Sequence, residues 1–204
     1  MCWNADVSIS TFLLGFLTIL YKGFNGYPLV ELGFYFTVIL IQLYEYFIWT
    51  YYNNPVINTI ATICLMITIA LQPIISSLLL SDKNYNLMLI SIFIYICIIL
   101  LTNKNIKLLK DNISDINSLT KEFYSYRGKD GHLVWNWTKN NNNFTFIIYL
   151  IFLIIPIYIY GLYDLLIIGG IFLAITVYKY NKYDTLGSMW CWFVNLWSIY
   201  LIMK

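Results

Sequence analysis

Glu45 and Gln42 lie one helical turn apart inside an apolar stretch long enough to cross a bilayer. A carboxylate in that setting can titrate, hold a cation or clamp two helices. From Pro28 to Tyr51 the residues Glu31, Tyr35, Val38, Gln42, Glu45 and Trp49 recur at helical spacing. At about 100° per residue all six fall within roughly 80° of one another, a single polar and aromatic stripe. Burying a carboxylate at bilayer depth costs about 2.5–3.5 kcal/mol on insertion scales, so such a group turns toward a bundle interior. Glu45 is then open to two readings. It is either a titratable or cation-binding group lining a cavity, or a protonated or hydrogen-bonded clamp between helices. Glu31 lies nearer the opposite interface, within reach of water.

Other polar side chains supply partners for that stripe. Asn58, Thr62, Gln72 and Ser76 share one side of the third apolar stretch, with Pro73 available to kink it. In the last stretch Asn195 shares a face with Ser188 and Cys191. Facing one another, these groups make a polar seam whose hydrogen bonds must close internally. A second candidate site is the run His132-Leu-Val-Trp135-Asn-Trp137 in the long polar segment. His132 is a general base if that segment folds toward Glu45 or Asp6, and otherwise hydrogen-bonds locally after its Asp-Gly turn. Trp135 and Trp137 alternate, so on a strand they point to one face and can anchor the segment in the headgroup layer. A single histidine with no Cys or His at ligand spacing predicts no metal centre, and no cofactor motif is present. Cys64 and Cys97 read as small core residues. Cys2 and Cys191 are able to pair only in an oxidising compartment.

The elements that must hold these residues are transmembrane helices. Hydrophobic residues make up 60% of the 204-residue chain and charged residues 11%, with a mean hydropathy of +0.71. That profile excludes an ordinary soluble domain. The expected fold class is all-α, a polytopic helical bundle in one domain, residues 1–204. Its seven spans run roughly 7–21, 28–51, 56–80, 85–101, 144–160, 165–178 and 186–203, with six as the competing count. About 20 residues cross a typical hydrocarbon core, which leaves the first and sixth spans short. The amino-terminal span lacks a basic n-region and a small-residue cleavage site, so it is not read as a cleaved signal.

A polar segment, 103–143, divides four helices from three. Ile106, Leu109, Ile113 and Ile116 recur opposite Lys107, Lys110 and Asp111, which predicts a short amphipathic surface helix. Aromatic alternation on either side of Gly128-Lys-Asp-Gly131 predicts a β-hairpin. Nine Lys or Arg on the side of the amino terminus against three on the other place the amino terminus and long loop in the cytosol. Three N-glycosylation sequons, at Asn112, Asn136 and Asn143, point the other way, although chance sequons are expected in an Asn-rich loop. Trp3, Trp49, Trp135, Trp137, Trp190 and Trp192 gather on the amino-terminal side with Glu45 and His132, more lopsided than an interfacial belt. There is no retinal lysine within the last span, no phosphate loop, no H-E-x-x-H or G-x-S-x-G, no K⁺ filter and no Arg-rich sensor. A net charge of +2 gives no reason to expect nucleic acid as a partner.

Several segments carry a resemblance. They are Met1-Cys-Trp-Asn-Ala-Asp-Val-Ser, Gln42-x-x-Glu45-x-x-x-Trp49, Gly131-His-Leu-Val-Trp-Asn-Trp137 and Gly187-Ser-Met-Trp-Cys-Trp192. Together they resemble an uncharacterised multi-pass membrane protein family of giant DNA viruses, over nearly the whole chain. The resemblance implies fold class and a viral origin, consistent with the Asn, Ile, Lys and Tyr bias, and implies no activity. Three functions stay open. The first is a small transporter or channel that takes a small ion or lipid ligand and uses Glu45, Gln42, Gln72, Asn195 and Ser188. The second is a membrane-embedded lipid-acting enzyme built on His132, Asp6 and Glu45. The third is a structural or host-membrane-modifying protein.

Overall fold

The structure is a computed structural model that describes residues 4–140, 143–180 and 191–203. It is all-α in character. The helices are α1 (Ala5–Phe24), α2 (Leu29–Thr50), α3 (Pro55–Ser77), α4 (Tyr85–Thr102), α5 (Lys104–Asn112), α6 (Ile116–Phe123), α7 (Asn143–Tyr160), α8 (Tyr163–Tyr180) and α9 (Cys191–Met203). Among the described residues, four stretches are long and apolar enough to cross a membrane: Ala5–Phe24, Leu29–Thr50, Pro55–Leu80 and Tyr85–Thr102. Phe144–Tyr160 and Phe193–Met203 are shorter apolar helices.

Asparagine, abundant in this chain, does the starting of helices. Asn4, Asn54 and Asn84 each sit in extended conformation and accept a hydrogen bond from the backbone N–H three residues on, at Val7, Ile57 and Leu87. Such caps satisfy donors that a helix end leaves orphaned. Pro55 opens α3, where its missing N–H costs nothing. Gly161 closes α7 with φ of +101°, and its N–H and that of Leu162 both return to the Ile157 carbonyl. A left-handed residue is needed there, and glycine alone adopts it without a Cβ penalty.

The first helix is longer than the expected 7–21. Capping by Asn4 extends it at the start, and at its end Lys22 is tucked in with its ammonium 5.7 and 5.8 Å from the Tyr21 and Tyr27 ring centres. Stacking on aromatic faces lets the cation stay at the helix end without unwinding it.

The core is centred on α2, which packs between α1 and α3 and is buried along most of its length. One cluster joins Phe34, Tyr35, Val38 and Ile39 of α2 to Ile157 of α7, Leu165 of α8 and Phe193, Val194, Trp197 and Leu201 of α9. A second joins Ile41 and Ile48 of α2 and Leu65 and Met66 of α3 to Leu119, Phe123, Leu133, Trp135 and Trp137. The last five belong to the segment expected to be a polar surface loop. That segment is in fact an apolar plug docked on the bundle.

Its internal structure also departs from expectation. The single amphipathic helix is broken into α5 and α6, because Asp115 turns extended and caps α6 by accepting from the Asn117 N–H. Ile113, between them, is thereby left exposed. The aromatic alternation yields two strands of only two residues, β1 (Tyr126–Arg127) and β2 (Leu133–Val134), paired antiparallel with Tyr126 opposite Val134. Phe123 ends α6 and Asn136–Asn140 winds into a 3-10 turn, so the side chains that alternate are spent on packing against helices rather than across strands.

α1 carries a stripe that sequence reading passed over: Ser8, Thr11, Gly15, Thr18 and Lys22 are its buried residues. Small residues at such spacing let helix backbones approach closely where lipid gives no hydrophobic drive to pack. At Gly15 a Cβ would lie 2.5 Å from Ile39 Cγ2 and 3.1 Å from the Tyr35 hydroxyl. Gly15→Leu should therefore destabilise the protein by about 1–3 kcal/mol through overpacking, despite its better helix propensity. Thermal unfolding in detergent would register this as a lowered midpoint; an unchanged or raised one would refute the close α1–α2 contact.

Candidate functional site

The α2 stripe faces inward, and its residues meet different partners along the helix. Near the start of α2, the Tyr160 hydroxyl of α7 donates to Glu31 Oε1 at 2.8 Å. One turn on, Tyr35 is fully buried and its hydroxyl bonds the Ser198 hydroxyl of α9. Ser198 spends its own proton on the Val194 carbonyl at 2.9 Å, so Tyr35 is the donor of that bond. Gln42 and Glu45 come next, both buried, Glu45 completely.

Glu45 meets the plug. The Trp135 indole lies beside the Glu45 carboxyl, but its buried N–H makes no hydrogen bond among the described residues. The Trp135 and Trp137 rings stack nearly parallel, 6.1 Å apart at 8°. They do share a face, as alternation implies, but it is turned into the bundle, with 5% and 6% of each exposed. Buried in this way, the two rings are not presented to a headgroup layer. The Trp137 N–H is buried without an acceptor among the described residues, a cost of about 1–3 kcal/mol that the packing around it offsets.

The expected polar seam is divided among separate contacts. At the start of α3, Asn58 donates from Nδ2 to the Ser125 carbonyl at 3.0 Å and accepts from the Ser125 N–H at 2.9 Å. The Thr62 and Ser125 hydroxyls bond at 2.8 Å. These residues therefore latch the plug rather than face α2. Further along α3, Gln72 accepts from the Tyr149 hydroxyl of α7 at 2.6 Å and donates to the Thr37 carbonyl at 3.4 Å. Asn195 turns elsewhere, donating to Thr11 of α1 at 3.3 Å. Ser188 lies outside the described residues, as do Cys2, Trp3 and Trp190. Cys64 and Cys97 are free thiols, half-buried rather than fully in the core.

Gln42 and Gln72 have one thing in common: both line a cavity of about 580 Å³. Its walls come from α2, α3, α4, α7, α8 and α9, and Trp135, Trp137 and Thr138 of the plug roof one end. The remainder of the wall is aliphatic and aromatic, including Val38, Met66, Ile99, Leu153, Leu173 and Trp197. No Asp, Glu, Lys, Arg or His lines it among the described residues. Pockets of about 300–1,000 Å³ with apolar walls and a few polar groups are the usual form of small-molecule sites. The sequence marked Val38, Gln42, Gln72, Trp135 and Trp137, but no local signal could have shown that these and residues from six helices share one wall.

The three residues of the enzyme alternative stand in different surroundings. Asp6 occupies the exposed side of the first turn of α1, where a carboxylate favours the helix dipole, while Glu45 is fully enclosed. His132 is buried in the plug, and its backbone N–H donates to Asp130. Burial pushes the His132 imidazole below its ordinary value of 6.5, against the pull of Asp130. Among the described residues no group of three His, Cys, Asp or Glu is placed to hold a metal. Compared with known proteins, the chain matches no family model, no curated protein and no solved structure.

The latch and the histidine of the plug each predict a measurable outcome. Asn58→Ala strands the Ser125 N–H, a buried donor, and should cost about 1–3 kcal/mol; trypsin cleavage after Arg127 should accelerate. Cleavage at the wild-type rate would mean that the latch does not hold the plug. A histidine with a depressed folded pKa stabilises the fold above its unfolded value, and this contribution is lost as pH falls through the folded value. The melting midpoint should therefore drop as pH falls below about 6.5, with a smaller drop in His132→Asn. Equal drops in both proteins would remove His132 from the account.

Proposed function

We propose that this chain is a small multi-pass membrane carrier that takes up a hydrophobic or amphiphilic molecule in the roofed cavity between its helices. The observation that carries this reading is the cavity wall: apolar, free of charged side chains among the described residues, and polar only at a few neutral groups such as Gln42, Gln72 and Tyr149. An ion pathway needs charges, carbonyl rings or water along its length. Glu45 is not part of the wall and lies beside Trp135 of the plug. That favours Glu45 as a clamp holding the roof over a transporter of the lipid type, rather than as an ion-coupling group.

The same reading takes all seven apolar stretches as spans, with α7, α8 and α9 the shorter ones, and puts the plug in the cytosol. Positive charge on the plug side supports this. So do two of the sequon asparagines. The Asn112 amide donates to the Leu108 carbonyl at 2.8 Å, and that of Asn136 to the Lys121 and Glu122 carbonyls at 3.2 and 3.0 Å. A glycan would leave either nitrogen a single N–H, too few for the two bonds of Asn136. Membership of a giant-virus membrane protein family, and with it a host or virion membrane, completes the proposal on the strength of the resembling segments.

Gly170 provides the test. It lines the cavity from an exposed position on α8, and a Cβ there would meet nothing within 4 Å, so a larger side chain fits without disturbing its neighbours. With the protein in nanodiscs, a fluorescent long-chain lipid probe should bind saturably to wild type and at least tenfold more weakly to Gly170→Leu, with unchanged thermal unfolding. Equal binding by both, or none by wild type, would sink the carrier reading. Glu45→Gln should retain probe binding in the folded fraction while lowering stability.

A further inference from the structure

The cavity's polar groups specify more than hydrophobicity. We infer, in a step that rests on the carrier reading, that the occupant is an uncharged lipid bearing a hydrogen-bond-accepting oxygen, a hydroxyl or carbonyl. That oxygen is received inside the span by the Gln72 amide and not at the membrane surface.

Charge is the first argument. A phosphate or ammonium headgroup drawn into this space would meet no countercharge among the described wall residues, and an unpaired ion in such surroundings costs several kcal/mol. A phospholipid can present its chains to the cavity but cannot seat its head there.

The second argument is what the wall offers a neutral group. Gln72 is 4% exposed and its side-chain oxygen is occupied by the Tyr149 hydroxyl at 2.6 Å. That bond fixes which end of the amide is which, leaving the NH₂ with two donors. One of them reaches the Thr37 carbonyl at a long 3.4 Å. The amide therefore presents donor capacity to its surroundings, and a primary need of a buried donor is an acceptor oxygen. Tyr95, also on the wall, spends its hydroxyl on the Ala70 carbonyl at 2.9 Å and so does not compete as a donor. An alkane leaves the Gln72 donor unmet, whereas a hydroxyl or carbonyl oxygen satisfies it.

Three probes with one chain length and one chain-borne diazirine separate the possibilities: a primary alcohol, the plain alkane and a phosphocholine ester. Each is photolysed with the full chain in phosphatidylcholine nanodiscs, and labelled peptides are identified by mass spectrometry. The alcohol should label the peptides of α3 and α7 that hold Gln72 and Tyr149, and should be displaced by unlabelled long-chain alcohol. It should label them about five- to tenfold more efficiently than the alkane, the worth of one hydrogen bond. Gln72→Met, close to isosteric, should erase that preference while leaving alkane labelling intact.

Equal labelling by alcohol and alkane in wild type would overturn the assignment to Gln72 while leaving the carrier reading standing. Labelling by the phosphocholine probe as strong as by the alcohol would overturn the uncharged-lipid class and mark the space as a gap filled by bulk lipid. Failure of all three to label any cavity-lining peptide would sink the carrier reading itself. The wild-type comparison decides these outcomes even if the Gln72 variant does not fold.

Discussion

Asn58 and Ser125 exchange two hydrogen bonds between the side chain of a membrane helix and the backbone of the plug. At the mouth of a bundle this exchange has few substitutes. A backbone N–H and C=O leaving water must be met by protein, and an asparagine amide meets both at once with fixed geometry. With Ser125 held, Phe123 and Leu133 are drawn onto α2 and α3, and Trp135 and Trp137 come to rest over the cavity. Glu45 is fully buried beside that docked segment.

The opposite end of the bundle is fastened by different chemistry. Tyr160 reaches Glu31, Tyr200 reaches Asp164, and Lys22 stands over the Tyr21 and Tyr27 rings. Tyrosine suits this position because its ring belongs to the apolar side and its hydroxyl to the wet side. The protein thus has a tryptophan-lined end that is plugged by its own chain and a tyrosine-lined end where helix termini are tied to one another. Between them α2 packs against α1 and α3 and also reaches α9. The cavity lies on the side where α8 and its neighbours complete the wall.

Polar groups inside this bundle do two kinds of work. Tyr35 with Ser198, and Asn195 with Thr11, tie α9 to α2 and α1, and such ties are the means by which helices associate in lipid. Gln72 with Tyr149 also joins two helices, but does so on the cavity wall. Location, rather than residue type, separates the two.

The residues made some of this legible and hid the rest, for reasons that differ by element. Long apolar runs dictate helices because backbone groups in lipid must bond within their own segment, and Asn4, Asn54 and Asn84 mark where those helices begin. The α2 stripe was equally legible, since a glutamate at that depth has to turn away from lipid. The partners of the stripe were not. Lipid tails are as apolar as leucine, so hydropathy does not distinguish a face that meets lipid from one that meets another helix. The same blindness hid the α1 stripe through Gly15 and split the expected seam among Ser125, Tyr149 and Thr11. It also made a polar-looking segment, 103–140, pass for a surface loop when its Phe123, Leu133, Trp135 and Trp137 are core. Periodicity is a property of one helix, and by itself determined the helices and the inward turn of Glu45. Which groups meet, and the cavity they enclose, depend on contacts among segments far apart in the chain, and only the tertiary structure decided them.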